Sequence, residues 1–121
     1  MLCENDMERL ATEDPAELLR YVREEKPRPS NLTFALEHLG TAGRNGVDVA
    51  STLVEHLAHE SPGVREGALI GLVNLYRDHA IPGPVVEAVR RVARGDSSPA
   101  VRSVAGCVIE DLGEENSGGE S

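Results

Sequence analysis

The sequence has 121 residues, of which 40% are hydrophobic and 2% aromatic, so one domain with a core of Leu, Val, Ile and Ala is expected. Its net charge of −9 argues against a general nucleic-acid binder and against docking on anionic membranes, because both rely on clustered Lys and Arg. Only two cysteines, an acidic N-terminal stretch and no long apolar run predict a cytoplasmic protein without a disulfide framework or membrane span.

The first clear helix start is the pair Asp14 and Pro15. Residues 1–13 are acidic with only a faint apolar pattern, so they are predicted to be a flexible acidic leader. Asp14 suits the N-cap position and Pro15 the first helical position. Apolar residues at helical spacing follow until a break at residues 26–29.

Five more helices are predicted from apolar periodicity between Gly and Pro punctuation. They cover about 31–42, 47–60, 62–78, 85–94 and 99–112. The simplest arrangement is three antiparallel pairs in a single domain over residues 14–112. Residues 113–121, GEENSGGES, have no apolar side chain and are predicted to be disordered.

The helix predicted over residues 62–78 is apolar nearly all round between residues 67 and 73, which indicates burial on several sides. Gly67 and Gly71 lie one turn apart and form a strip without side chains. A neighbouring helix can approach this strip closely. That packing has to offset a helix-propensity cost of about 1 kcal/mol for each glycine.

A short pattern occurs three times along the chain: a Pro, an Ala six residues later, and a Leu or Ile four residues after that. Its three copies are Pro29, Ala35, Leu39, then Pro62, Ala68, Leu72, then Pro99, Ala105, Ile109. Spacings of 33 and 37 residues between copies are typical of repeat proteins built from helix pairs.

Two segments that contain this pattern resemble the HEAT-repeat family: SPGVREGALIGL from Ser61, and SPAVRSVA from Ser98 with Asp96 two residues before it. The resemblance implies an all-α protein, a right-handed α-α superhelix (solenoid) of about three HEAT-like helix pairs. The repeats would cover about 15–43, 47–79 and 84–112.

In HEAT proteins an Asp of the turn and an Arg of the second helix tend to bond between adjacent repeats, which implies a structural ladder role for Asp96 and Arg102. The first repeat departs from the pattern, as a terminal repeat without an outer neighbour would. The middle repeat has His59 where the Asp belongs.

HEAT proteins mostly act as scaffolds that offer a concave surface, lined by the second helices, to a partner protein. The resemblance therefore implies a non-enzymatic protein-protein interaction scaffold with a protein partner, and leaves the oligomeric state open. The residues predicted to point away from the core and bind the partner are Arg65, Glu66, Asn74, Arg77, Arg102 and Glu110, with Thr33, Glu37 and Ser103 beside them.

Two alternative functions remain open. One is an immunity-protein-like or antitoxin-like binder of a basic partner, which the acidic charge suits. The other is an accessory subunit of an enzyme, either bilin-lyase-like or a metal-dependent HEAT protein. Nucleic-acid binding through Arg90, Arg91 and Arg94 is disfavoured, because Glu87 is spaced to pair with Arg91 on a solvated helix face.

No catalytic residue, metal ligand or cofactor is predicted. His56 and His59 are three residues apart, whereas helical zinc motifs place two His four apart with a Glu beside the first. No nucleophile elbow and no phosphate-cradling Gly-rich loop after a strand is found in the sequence.

Overall fold

The computed structural model describes residues 2–113, which form seven α-helices and no β-strand, so the predicted all-α class is confirmed. The helices are α1 Glu4–Glu13, α2 Pro15–Arg20, α3 Pro29–Arg44, α4 Ala50–Glu55, α5 Pro62–Leu75, α6 Gly83–Gly95 and α7 Pro99–Val108. Wider π-helical turns extend α2 over Tyr21–Glu25 and α7 over Ile109–Gly113, and a 3₁₀ turn, His56–Ala58, extends α4. The predicted disordered tail lies outside the described residues except for Gly113.

Proline is the first residue of four helices, α2, α3, α5 and α7. Its fixed φ suits the first helical turn, and its missing N–H costs nothing there because that N–H would have no intrahelical acceptor. Before α7, the Ser98 hydroxyl accepts a hydrogen bond from the Val101 N–H at 3.3 Å and caps the helix. The helix starts predicted at Pro15, Pro62 and Pro99 are confirmed.

The predicted flexible leader instead contains the helix α1, so this prediction was wrong for Glu4–Glu13. Met7 and Ala11 are buried in the core, where α1 packs against α3. They are four residues apart and therefore share one face of the helix. The Asn45 side-chain amide donates to the Ala11 main-chain oxygen at 3.0 Å. These tertiary contacts supply the stability that the acidic sequence of a short helix lacks on its own.

The helices α3, α5 and α7 form one layer, with α5 packed between the other two. Against this layer, α1 and α2 pack on α3, α4 packs on α5, and α6 packs on α7. The two helices α3 and α5 run parallel, because Gly67 lies against Thr33 and Gly71, one turn on, lies against Leu36. The predicted aliphatic core is confirmed, and its largest fully buried apolar side chains are Met7, Leu18, Leu36, Leu39, Leu53, Leu69, Leu72, Val49, Val64, Val89 and Val101.

Glycines let the main chains of α3 and α5 touch. A Cβ atom at position 67 would lie 2.6 Å from the Thr33 carbonyl oxygen, and one at position 71 would overlap the Leu36 carbonyl oxygen. Gly40 of α3 faces the main chain of Gly71 in the same way. The close approach predicted for Gly67 and Gly71 is therefore confirmed, and the two neighbouring elements meet without intervening side chains.

Replacing Gly71 with Ala is expected to lower the free energy of unfolding by about 2 kcal/mol, a typical cost of overpacking. The loss occurs although Ala favours a helix over Gly by about 1 kcal/mol, because the new Cβ overlaps the Leu36 carbonyl. Gly106→Ala in α7 is the matched control: nothing lies within 4 Å of that Cβ position, so stability should rise. Urea unfolding followed by circular dichroism measures both changes, and shifts of the same sign would contradict the close contact.

Candidate functional site

The layer of α3, α5 and α7 presents outward residues from each helix at spacings of three, four or seven, which lie on one side of a helix. Arg77 and Glu110 follow just after the last residues of α5 and α7. Glu66 and Ile70 of α5 correspond in register to Ser103 and Cys107 of α7, 37 residues further along the repeat pattern. We call this surface the α3/α5/α7 face, and it comprises Phe34, Glu37, Glu66, Ile70, Arg77, Ser103, Cys107 and Glu110.

Two large apolar side chains on the α3/α5/α7 face are exposed. Phe34 is 41% exposed and Ile70 is 37% exposed, and they are the exposed large hydrophobic residues of the described chain. The exposure of Ile70 means that α5 is not buried all round, contrary to what the apolar run from residue 67 to 73 suggested. The exposure of Phe34 could have been predicted from the helical periodicity of α3, because Phe34 falls outside the core stripe of Leu32, Leu36 and Leu39.

The charge of the α3/α5/α7 face is mainly acidic. Glu37, Glu66 and Glu110 contribute carboxylates, and Arg77 is the cation among the residues that define the face. Burial raises the pKa of the Glu37 carboxyl; a positive charge on the adjacent His38 opposes this shift, and the Glu4 carboxylate adds to it. The face therefore combines exposed apolar groups with an acidic surround.

Asn74 was predicted to contact a partner, and in the structure its side chain joins two helices. Its Nδ2 donates to the Glu37 main-chain oxygen at 2.9 Å, linking α5 to α3. Its Oδ1 accepts a hydrogen bond from Arg77 Nη2 at 2.9 Å. Asn74 therefore orients Arg77, whose side chain remains exposed.

Arg65 was predicted to point outward toward a partner, and this prediction was wrong because the residue is only 8% exposed. Its Nε and Nη2 donate to the two carboxylate oxygens of Asp96 at 2.7 and 2.8 Å, the bidentate geometry that a planar guanidinium favours. Its Nη1 donates to the main-chain oxygens of His59 at 2.8 Å and Glu60 at 3.2 Å. Arg65 thus joins the turn before α5 to the turn between α6 and α7.

Asp96 lies at the centre of the turn between α6 and α7. Its Oδ1 also accepts the Ser98 N–H at 2.9 Å, while Arg102 Nη1 donates to its main-chain oxygen at 2.6 Å. The resemblance implied a ladder of Asp96 and Arg102; in the structure the carboxylate pairs with Arg65, and Arg102 holds the main chain. The Arg65 hydrogen bonds hold the pKa of the Asp96 carboxyl below its usual range, with burial opposing them.

The remaining groups singled out in the sequence make local contacts. The rings of His56 and His59 stack with centroids 6.1 Å apart. Glu87 pairs with Arg90 at 3.4 Å and not with Arg91 as its spacing suggested. Among residues 2–113, no three His, Cys, Asp or Glu side chains group as metal ligands would, and no helix is both long and apolar enough to cross a membrane.

Replacing Arg65 with Met is expected to lower the free energy of unfolding by about 3 kcal/mol, because it leaves the Asp96 carboxylate buried without its cation. Arg77→Met is the matched control, because it makes the same replacement at an arginine just after α5, the helix that contains Arg65. Arg77 is exposed, so its loss should change stability by no more than about 0.5 kcal/mol. Chemical denaturation at pH 7 measures both, and equal effects would contradict a structural role for the buried pair.

The same pair predicts how stability depends on pH. Because the native pKa of Asp96 is lowered, the pair contributes fully above the ordinary aspartate pKa of about 3.9, and the contribution is lost as pH falls through the lower native value. The stability difference between wild type and Asp96→Asn should therefore be largest near pH 7 and shrink below about pH 3.9. Unfolding curves at several pH values test this, and a difference that stays constant into acid would exclude it.

No family model matches the chain, and no match was found among curated proteins or among solved structures. The chemistry of the α3/α5/α7 face and of the cavities therefore carries the functional argument.

Proposed function

We propose that the protein is a cytoplasmic, non-enzymatic protein-protein interaction module, built as a short HEAT-like α-solenoid. Its partner is a basic protein segment with apolar side chains, bound on the α3/α5/α7 face. The observation that carries the proposal is the exposure of Phe34 and Ile70 on adjacent parallel helices of one face.

The solenoid part of the proposal is supported by a match between sequence repeat and packing. Thr33 packs against Gly67, 34 residues later, close to the 33-residue spacing of the first two repeat copies. Equivalent helices of consecutive repeats lie parallel and in contact in stacked helix-pair proteins. The Arg65 to Asp96 pair supplies a similar link between the second and third pairs.

The apolar character of the proposed partner follows from the free energy that is gained when Phe34 and Ile70 are buried in an interface. Full burial of such a side chain gains roughly 1.5–3 kcal/mol, and a partner can supply the part that belongs to the exposed 41% of Phe34 and 37% of Ile70. Well-packed apolar and aromatic anchors carry much of the binding energy of many protein interfaces. Both project from helices whose relative position is fixed by the main-chain contact between α3 and α5. A partner thus meets two anchors on a rigid base, so little conformational entropy is lost on binding.

The basic character of the partner follows from charge complementarity. The carboxylates of Glu37, Glu66 and Glu110 share the face with the two apolar side chains, in a chain of net charge −9. Such a surface attracts cationic partners and disfavours acidic ones. It raises the association rate of cationic partners, and most strongly at low salt.

Peptide display tests this proposal with a defined probe. A random library of short peptides is selected against wild type and against Phe34→Ser/Ile70→Ser, after circular dichroism has verified that both fold alike. Peptides retained by wild type should be rich in Lys or Arg and contain apolar residues. Their affinity should fall at least about tenfold in the double variant, because both apolar anchors are lost.

The matched control for the peptide measurement is Ala58→Ser, an exposed apolar position at the end of α4, which should leave affinity unchanged. Affinity should also decline as the salt concentration rises. Selection of acidic peptides, or equal binding to the double variant, would overturn the proposal.

A further inference from the structure

A second candidate site lies where the chain turns from α2 into α3, on elements that the proposed partner surface does not use. A cavity of about 270 Å³ opens there. Its lining residues are Tyr21, Glu25, Lys26, Pro27, Arg28 and Asn31.

Two residues that line the cavity, Tyr21 and Asn31, each have a hydrogen-bond donor without an acceptor in the described part of the chain. Tyr21 is only 4% exposed, and its hydroxyl makes no hydrogen bond within that part of the chain. The Asn31 main-chain N–H lies in the first turn of the 16-residue helix α3, which has no side-chain cap. The main-chain hydrogen bonds of this helix begin one residue later, where Leu32 N–H donates to the Arg28 oxygen at 2.7 Å. The positive end of the α3 dipole therefore faces this region.

The charge at the cavity is positive. Lys26 and Arg28 have no carboxylate within 4.0 Å among residues 2–113. Glu25 also lines the cavity, but its carboxylate is held by Arg20 at 2.9 Å. Two unpaired cations thus belong to the same cavity lining as the two unpaired donors, in a chain that is otherwise strongly acidic.

Lys26 itself has an unusual backbone. It ends the α2 extension with φ 48° and ψ 62°, and it is the non-glycine residue with positive φ in the described chain. This left-handed position after a helix normally carries Gly, because a side chain there costs about 1 kcal/mol or more. This conformation lies at the junction of the α2 extension and α3, where Lys26 lines the cavity.

We propose that this cavity binds the phosphate group of a small molecule. A phosphate offers three or more acceptor oxygens and up to two negative charges, which match a hydroxyl, a helix N-terminal N–H, an ammonium and a guanidinium. A carboxylate carries a single negative charge, so it balances only one of the two cations that line the cavity. The site is independent of the peptide surface proposed above.

Titration of ¹⁵N-labelled full-length protein with inorganic phosphate and pyrophosphate tests the proposal. Saturable amide shifts should be centred on residues 26–31 at constant ionic strength. Acetate at equal concentration is the carboxylate comparison and should give at least about tenfold weaker binding. Failure of both phosphates to saturate, or equal saturation by acetate, would overturn the proposal.

Two variants separate binding from folding. Tyr21→Phe keeps the buried ring and removes only the hydroxyl, so affinity should fall about tenfold with the fold retained. Lys26→Gly should weaken binding by a similar factor while raising the melting temperature, because it removes both the charge and the backbone strain.

Arg91→Gln is the matched control for the loss of one positive charge, since Arg91 lines a different cavity, between α4 and α6. It should leave phosphate affinity unchanged. Binding by Tyr21→Phe and Lys26→Gly equal to wild type, or an equal loss in Arg91→Gln, would show that the shifts report general charge screening and would exclude the site.

Discussion

The structure depends on one constraint, the direct contact between the main chains of α3 and α5. Gly40, Gly67 and Gly71 have no Cβ atoms, and any side chain at these positions would meet backbone. The contact fixes not only the separation of the two helices but also their rotation about their own axes. Once the rotation is fixed, the identity of the outward residues follows, and Phe34 and Ile70 are exposed as a consequence of where the glycines lie.

The joint between α5 and α7 is built differently, around a buried ion pair. The guanidinium of Arg65 is surrounded by a carboxylate and two main-chain oxygens, so its charge and donors are well satisfied despite burial. Such a pair contributes less net stability than its short distances suggest, because both ions lose hydration. It does favour the arrangement in which the two turns meet, since separating them would leave the Asp96 carboxylate without its cation.

Features encoded by local rules could be predicted from the sequence. Proline-started helices, the aliphatic core and the glycine strip each follow from a few neighbouring residues. The prediction failed where distant segments decide the outcome: α1 is held by its packing on α3, and Arg65 reaches a carboxylate 31 residues away. The exposure of Ile70 was missed for another reason, because the apolar run from residue 67 to 73 was interpreted as buried without asking which helix face each residue occupies.

The turn between α3 and α4 has a practical consequence for engineering. Gly46 adopts φ 108°, which requires glycine, yet nothing lies within 4 Å of its Cβ position. Residues inserted just after it would extend into open space, and doubling the length of a loop costs only about 0.6 kcal/mol. An epitope tag can therefore be placed there. The turn containing Asp96 has no such freedom, because its carboxylate and main chain are already bonded.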